Sequence, residues 1–209
     1  LAIVGPSGSG KTTLALALLQ KIFYTGHIEI AFQKSKIAFA EQLHHFKNKS
    51  NTNDLYYQQR YHAMESDDAI MAGDYIGATA EAIEQVLPGL TPLLDEPLLQ
   101  LSNGEHKKVQ LAKLLLQHPA MLILDQPFIG LDTASRQWLH STLNTLSASG
   151  ISIILISSPT EMPNCITHIL TLELETQYTF QPKENWKPRT HAHTLHPLNE
   201  VSFQQLLKE

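Results

Sequence analysis

Eight residues near the start, Gly5-Pro6-Ser7-Gly8-Ser9-Gly10-Lys11-Thr12, limit what this chain can fold into more than any other stretch. Gly5, Gly8 and Gly10 lack Cβ atoms, so successive backbone N–H groups can turn inward around an anion without steric penalty. Before them, Leu1-Ala2-Ile3-Val4 reads as a buried strand; after them, Thr13-Leu14-Ala15-Leu16-Ala17-Leu18-Leu19 opens a helix whose positive end faces the same point. Lys11 supplies a point charge for the outer phosphates of a polyphosphate, and Thr12 a hydroxyl for Mg²⁺. A strand, a glycine-rich turn, Lys-Thr and a helix in this order predict a phosphate loop, with Gly5, Pro6, Ser7, Gly8, Ser9, Gly10, Lys11, Thr12 and Thr13 around a nucleoside triphosphate. A plain Gly/Ser turn would not require the Lys-Thr pair.

Composition narrows the partners. The 209 residues, 43% of them hydrophobic, suffice for one core with an inserted subdomain. A net charge of −5 gives no global attraction for a polyanion, so nucleic acid is not expected as the principal partner. Interleaved Phe46, Tyr56, Tyr57, Arg60 and Tyr61 could form a base-stacking surface, but at this charge they read as anchors of a polar segment on a small helical core. The one cysteine, Cys165, excludes an internal disulfide and suits a reducing, cytoplasmic setting. No apolar run reaches membrane-spanning length, so contact with the inner face of a membrane is expected only through a partner. The sequence opens without Met, already inside a strand, which reads as a piece of a longer protein.

Along the chain, His27 to Phe32 and Lys36 to Ala40 read as short strands joined by Gln33-Lys34-Ser35. Leu43 to Asp68 is polar and aperiodic, a solvated loop leading into helices. Ala82, Ile83, Val86 and Leu87 recur at helical spacing within 78–87, stopped by Pro88-Gly89. Ser102 and Glu105 form a capping box before a helix carrying Val109, Leu111, Ala112, Leu115 and Leu116, with Lys107, Lys108 and Lys113 expected on its wet face. Met121-Leu122-Ile123-Leu124-Asp125 is an apolar strand ending in a carboxylate, the place where a phosphate-loop ATPase holds Mg²⁺. Gly130-Leu131-Asp132 starts another helix, for which Asp132 alone would serve as N-cap. Ile151 to Ile156 is a further strand.

The phosphate loop, the Leu-Ser-x-Gly box, the strand with Asp-x-Pro and the Gly-Leu-Asp turn, in this order, resemble the ATP-binding cassette ATPases over Leu1 to about Leu172. The stretches Phe39-Ala40-Glu41-Gln42-Leu43, Leu101-Ser102-Asn103-Gly104-Glu105, Leu124-Asp125-Gln126-Pro127-Phe128 and Glu161-Met162-Pro163 are most similar to the first half of tandem cassette proteins associated with molybdate transport. The resemblance implies an α/β fold, a phosphate-loop NTPase three-layer core with a mainly parallel sheet. It also implies an inserted α-helical subdomain over about 43–118, and an N-terminal antiparallel sheet, with its adenine-stacking aromatic, that this sequence does not contain. The cassette is expected over 1–180 and a polar tail or linker over 181–209. The resemblance further implies ATP and Mg²⁺ as ligands, with Thr12, Gln42 and Asp125 as the metal set and Gln42 also sensing the attacking water. Ser102 and Gly104 look like the signature that closes over the γ-phosphate of a second cassette, in the same polypeptide or a homodimer, and Asp132 like the aspartate that crosses between cassettes. A membrane permease would dock near 46–61.

Two residues depart from the family pattern. Gln126 stands where a glutamate usually polarises the hydrolytic water, and an amide is a poor proton acceptor. Ser157 stands where a histidine usually meets the γ-phosphate, and serine carries no imidazolium charge. General-base assistance is worth about 10² to 10⁴ in rate, so binding without efficient hydrolysis is expected. The alternative function is a soluble tandem cassette protein with a regulatory or nucleic-acid role and no permease; a small-molecule kinase is disfavoured by the Ser102 box and Asp132. His191, His193 and His196 match no good zinc geometry, and His44-His45 read as loop residues rather than substitutes for the missing histidine.

Overall fold

Alternation along three short strands sets the layers. Ala2 and Val4 of β1 (Ala2–Val4) face one side and Ile3 the other; Leu122 and Leu124 of β3 (Met121–Asp125) oppose Ile123 in the same way. Strands buried on both faces read as continuous apolar runs and belong in a parallel sheet covered by helices. The computed structural model, which describes residues 1–30, 33, 36–42, 70–173 and 177–188, has this arrangement. Its six-stranded sheet runs β2-β3-β4-β1-β5-β6, with β2 at Ile37–Ala40, β4 at Ser152–Ile156, β5 at His168–Leu172 and β6 at Tyr178–Pro182. The first five strands are parallel, and β6 returns antiparallel beside β5.

On the Ile3 face, helix α1 (Lys11–Leu18) packs Ala15, Leu14 and Leu18 against Ile123, Ile154 and Ile156. The other face carries the larger core. There α4 (Asn103–Leu115) contributes Val109, Leu111, Ala112 and Leu115, and α5 (Thr133–Ala148) contributes Leu139 and Leu143, all buried. The short helices α2 (Ala72–Ile76) and α3 (Ala80–Val86) lean on α4 through Ile76 and Ile83. Thr79 caps α3 by accepting from the Ala82 amide at 3.3 Å, and Glu84 folds over its far end to take the Gly89 amide at 2.7 Å. The Pro-punctuated connection after α3 contains two single-turn 3₁₀ segments, Thr91–Leu93 and Leu98–Gln100.

The layered, mainly parallel architecture is the expected one; four details differ. Of the strand expected over His27 to Phe32, residues 31–32 lie outside the described residues and His27–Ile30 forms no strand, finding no ladder partner among those described, while β2 starts one residue later than expected. The residue-180 boundary falls inside β6, and packed structure runs on to Trp186, whose indole joins the core and donates to Thr171 Oγ1 at 3.2 Å. The post-signature helix is not wet at its lysines. Lys107 is buried and donates to Gln110 Oε1 at 2.8 Å; Lys113 is half-buried, donates to the Tyr75 carbonyl and lies over the Tyr75 ring at 3.7 Å. The helix is covered on two sides, by the sheet and by α2–α3, which a single apolar stripe did not signal.

Residues 43–69, with the aromatic interleaving and His44-His45, and 189–209, with His191, His193 and His196, lie outside the described residues. Among those described, no helix is long and apolar enough to cross a membrane and no group of three His, Cys, Asp or Glu could hold a metal.

Burial lowers the Lys107 ammonium from the usual 10.5 to about 8. A lysine lowered in the folded state opposes folding while both states are protonated. As pH rises from about 8 towards 10.5 the folded chain has released the proton and the unfolded chain has not, so stability increases across that window. Urea titrations of the wild type and Lys107→Met across pH 7 to 10.5 should show a rise in the wild type that is smaller or absent in the variant.

Candidate functional site

The C-terminal ends of β1, β3 and β4 lie side by side, since Ile3 pairs with Ile156 and Asp125 pairs with Ile156 from the other side. Parallel strands therefore deliver three chain segments to one sheet edge: the turn after Val4, the dipeptide Asp125-Gln126, and Ser157. Open α/β sheets bind ligands at such an edge.

The first segment is the glycine-rich turn. Gly5, Gly8 and Gly10 have φ of 151°, 80° and 86°, which strain any residue with a Cβ. At Gly5 an added Cβ would also lie 2.1 Å from the Leu172 carbonyl oxygen, so the turn passes against β5 with no room for a side chain. Only Ser9 and Leu14 of this region donate backbone bonds within it, to Pro6 and Gly10; the amides of Lys11, Thr12 and Thr13 open α1 without acceptors among the described residues. Lys11 is buried and curls inward, donating to the carbonyls of Pro6 at 2.6 Å and Gly5 at 3.0 Å, with Ser9 Oγ at 3.5 Å. Burial lowers its pKa, and the nearby Asp125 carboxylate acts against that. A phosphate oxygen arriving here would offer the Lys11 ammonium a charged acceptor in place of two neutral ones, a stronger bond.

The second segment meets the first directly. Thr12 Oγ1 donates to Asp125 Oδ2 at 2.6 Å, although 113 residues separate them. Asp125 is buried, and its Oδ1 has no hydrogen-bond partner among the described residues. A buried carboxylate oxygen left without a donor, beside a hydroxyl, is a donor set suited to a hard divalent cation such as Mg²⁺, which binds through one or two carboxylates plus phosphate oxygens. Among the described residues, Gln126 is one of three non-glycines with positive φ, at 47°; the other two, Gln20 and His118, follow helix ends. Its amide donates to the Ile156 carbonyl at 2.8 Å. Strained backbone held at a sheet edge marks a place where a side chain is aimed rather than merely accommodated.

Ser157 is buried at the end of β4, with its amide donating to the Ile3 carbonyl at 3.3 Å. Gln42 is exposed two residues past Ala40, which pairs with Leu124. The edge thus collects the phosphate-loop residues, Asp125, Gln126 and Ser157, with Gln42 just beyond β2.

Ser102, Gly104 and Asp132 belong to a second cluster, and none of them hydrogen-bonds to residues 5–13 among the described residues. Ser102 caps α4 in a reciprocal box: its hydroxyl donates to Glu105 Oε2 at 2.7 Å and accepts from the Glu105 amide at 3.3 Å. The Ser102 amide, donating to Glu105 Oε2 at 2.8 Å, and after it the Ser102 hydroxyl hold the Glu105 carboxyl below its usual range. Asp132 caps α5, accepting from the Ser135 amide at 2.7 Å, which likewise lowers its pKa. Gly104 is where the two helix starts touch, since a Cβ there would meet Ser135 Oγ at 2.0 Å. Two contacts were not visible in the sequence. Asn103 Nδ2 donates to the Gly130 carbonyl at 3.0 Å, and Arg136, paired with Glu161, also donates to the Leu131 carbonyl at 3.2 Å.

With this geometry in place, comparison identifies its relatives. The ABC transporter family profile matches residues 1–129. An uncharacterised ABC transporter ATP-binding protein of Schizosaccharomyces pombe is 34% identical over 94% of this chain and 44% of its own length. The ABC transporter ATP-binding protein ModF of Escherichia coli is 33% identical over 74% of this chain and 32% of its own. The chain therefore spans less than half the length of these two relatives. A solved dimeric ATP-binding cassette in a post-hydrolysis state, bound to ADP and Pi, superimposes with a TM-score of 0.58 over 85% of this chain and 83% of that one, at 19% identity, which speaks to the fold.

The Gly104 contact is testable in isolation. Gly104→Ala should destabilise the fold by about 1–3 kcal/mol through overpacking, and Ser135→Gly should recover part of that loss, both read from urea unfolding.

Proposed function

Because the chain belongs to the ABC transporter family and carries its ATPase domain, we propose that it is a cassette that holds Mg·ATP at the Gly5–Thr13 loop, closes head-to-tail on a second cassette, and cuts the nucleotide poorly at its own site. The observation that carries this reading is the joining of Thr12 to a buried Asp125 whose second oxygen has no partner among the described residues, directly beside a glutamine held in strained backbone.

Each residue has a part in it. The open amides of Lys11, Thr12 and Thr13 and the Lys11 ammonium bind the phosphates; Thr12, Asp125 and Gln42 hold the Mg²⁺. Mg²⁺ would neutralise charge on the β- and γ-phosphate oxygens when bound. Gln42 and Gln126 then face the water. Gln126 can orient it through a hydrogen bond but cannot take its proton, and Ser157 can donate to the γ-phosphate without adding positive charge. Ser102 and Gly104 present the start of α4 to the γ-phosphate held by the other cassette, while Asp132 reaches across to that cassette. The partner cassette lies in the same polypeptide or in a second copy. The likeness to ModF supports placement as one half of a tandem cassette protein of the molybdate-associated kind, acting at the cytoplasmic face of a membrane and driving or regulating a permease.

Two measurements test this. Lys11→Ala should weaken ATP binding, read by calorimetry, by about 10- to 100-fold, the worth of a charge-assisted bond. Gln126→Glu should raise steady-state ATP hydrolysis by the protein's full chain by about 10² to 10⁴. An unchanged rate in Gln126→Glu would show that the amide is not what limits turnover.

A further inference from the structure

The turn that opens α5 is gripped from two sides. Its carbonyls at Gly130 and Leu131 are adjacent, and each accepts from a side chain: Asn103 Nδ2 at 3.0 Å from the start of α4, and Arg136 Nη2 at 3.2 Å from within α5 itself. Arg136 is not free to follow the turn. Its Nη1 pairs with Glu161 Oε1, and the other oxygen of that carboxylate meets His140 Nε2 at 3.2 Å. Glu161 is largely buried, with 14% of its side chain accessible, and His140 is stacked on Phe128 with centroids 4.5 Å apart. Glu161 lies four residues after Ser157, on the same loop, tightened by the Glu161 amide donating to the Ser158 carbonyl at 3.1 Å. Leu131, between the two grips, is buried, and Gly130 has a φ of 74° that lets the turn double back.

We propose that Asn103 and Arg136 are positioning residues that clamp the Gly130–Asp132 turn, so that the partner-facing Ser102 and Asp132 move as one body with the loop that ends β4 at this chain's own γ-phosphate position. This rests on the paired-cassette reading above. The chemistry supports a clamp rather than incidental contact. Each donor is a planar group, and the Arg136 guanidinium serves the Glu161 carboxylate and the Leu131 carbonyl at once, where an ammonium offers no such fork. A loop shift at Ser157 would pull on Glu161 and Arg136, hence on Leu131, and through Gly130 on Asn103 and the Ser102 cap. Energetic coupling is shown by a mutant cycle and not by adjacency alone.

The test uses the full protein with Mg²⁺ and a fluorescent ATP analogue, comparing Asn103→Ala, Arg136→Ala, Arg136→Lys and the double variant Asn103→Ala/Arg136→Ala. The readouts are the slow release of analogue from the closed pair, the association rate of analogue with the open protein, and the urea midpoint. Each alanine variant should release the analogue about three- to tenfold faster, the worth of one hydrogen bond. The association rate should not change. The double variant should fall short of the product of the singles, because either loss frees the same turn. Arg136→Lys should keep the urea midpoint close to wild type, through its charge pair with Glu161, yet still release quickly. Equal release in all variants, or effects that multiply independently and follow the urea midpoint, would overturn the clamp alone. A wild type showing only fast release, with no closed state, would overturn the paired-cassette reading and the clamp with it.

Discussion

The Thr12–Asp125 hydrogen bond depends on a register that no local propensity dictates. β1 must enter the sheet between β4 and β5 and must pair Ile3 with Ile156, while β3 pairs Asp125 with that same Ile156. A one-residue slip in either ladder would turn Ile3 or Asp125 to the opposite face and exchange core for site. Alternating burial prevents the slip. Ala2 and Val4 suit the face covered by α4 and α5, Ile3 suits the face covered by α1, and the swap would bury nothing well. The site is therefore held by the core rather than by its own bonds, and a 2.6 Å contact across 113 residues is the visible outcome.

What could be read from residues alone follows from how local each signal is. The glycine turn, the Ser102–Glu105 box and the Asp132 cap are all written within four residues or so, and each holds the geometry that its side chains require. The strands Met121–Asp125 and Ser152–Ile156 announced themselves as apolar runs. Signals that depend on distant partners were invisible. Nothing about Arg136 and Glu161, 25 residues apart, shows that they pair, and Asn103 reads as an ordinary first-turn residue until Gly130 is brought beside it. His27–Ile30 failed in the opposite sense: its alternation is locally convincing, but a strand exists only where a neighbour completes its ladder.

Lys107 shows the same dependence from the side of energy. On a helix with one covered face it would sit in water; with the sheet on one side and α2–α3 on the other it becomes a buried cation whose only hydrogen bond among the described residues is to Gln110. Such a group opposes folding, and the chain tolerates it because the surrounding core is extensive. Lys113, on the same helix, has its pKa lowered by burial as well, but it is less buried, lies on the Tyr75 ring and reaches the Tyr75 carbonyl.

On the proposed function, Gln126 is where binding and hydrolysis part. Left-handed backbone at a residue with a side chain costs on the order of 1 to 3 kcal/mol, and it persists only where the surroundings impose it. Here they do: the Gln126 amide is bound to Ile156, and its carbonyl accepts from Ile129 at 3.3 Å, so the residue is held at both ends of its peptide. That strain would be idle if position 126 had lost all duties. On the function proposed above, the Gln126 amide has nearly the shape of a carboxylate and would hold a water without taking its proton.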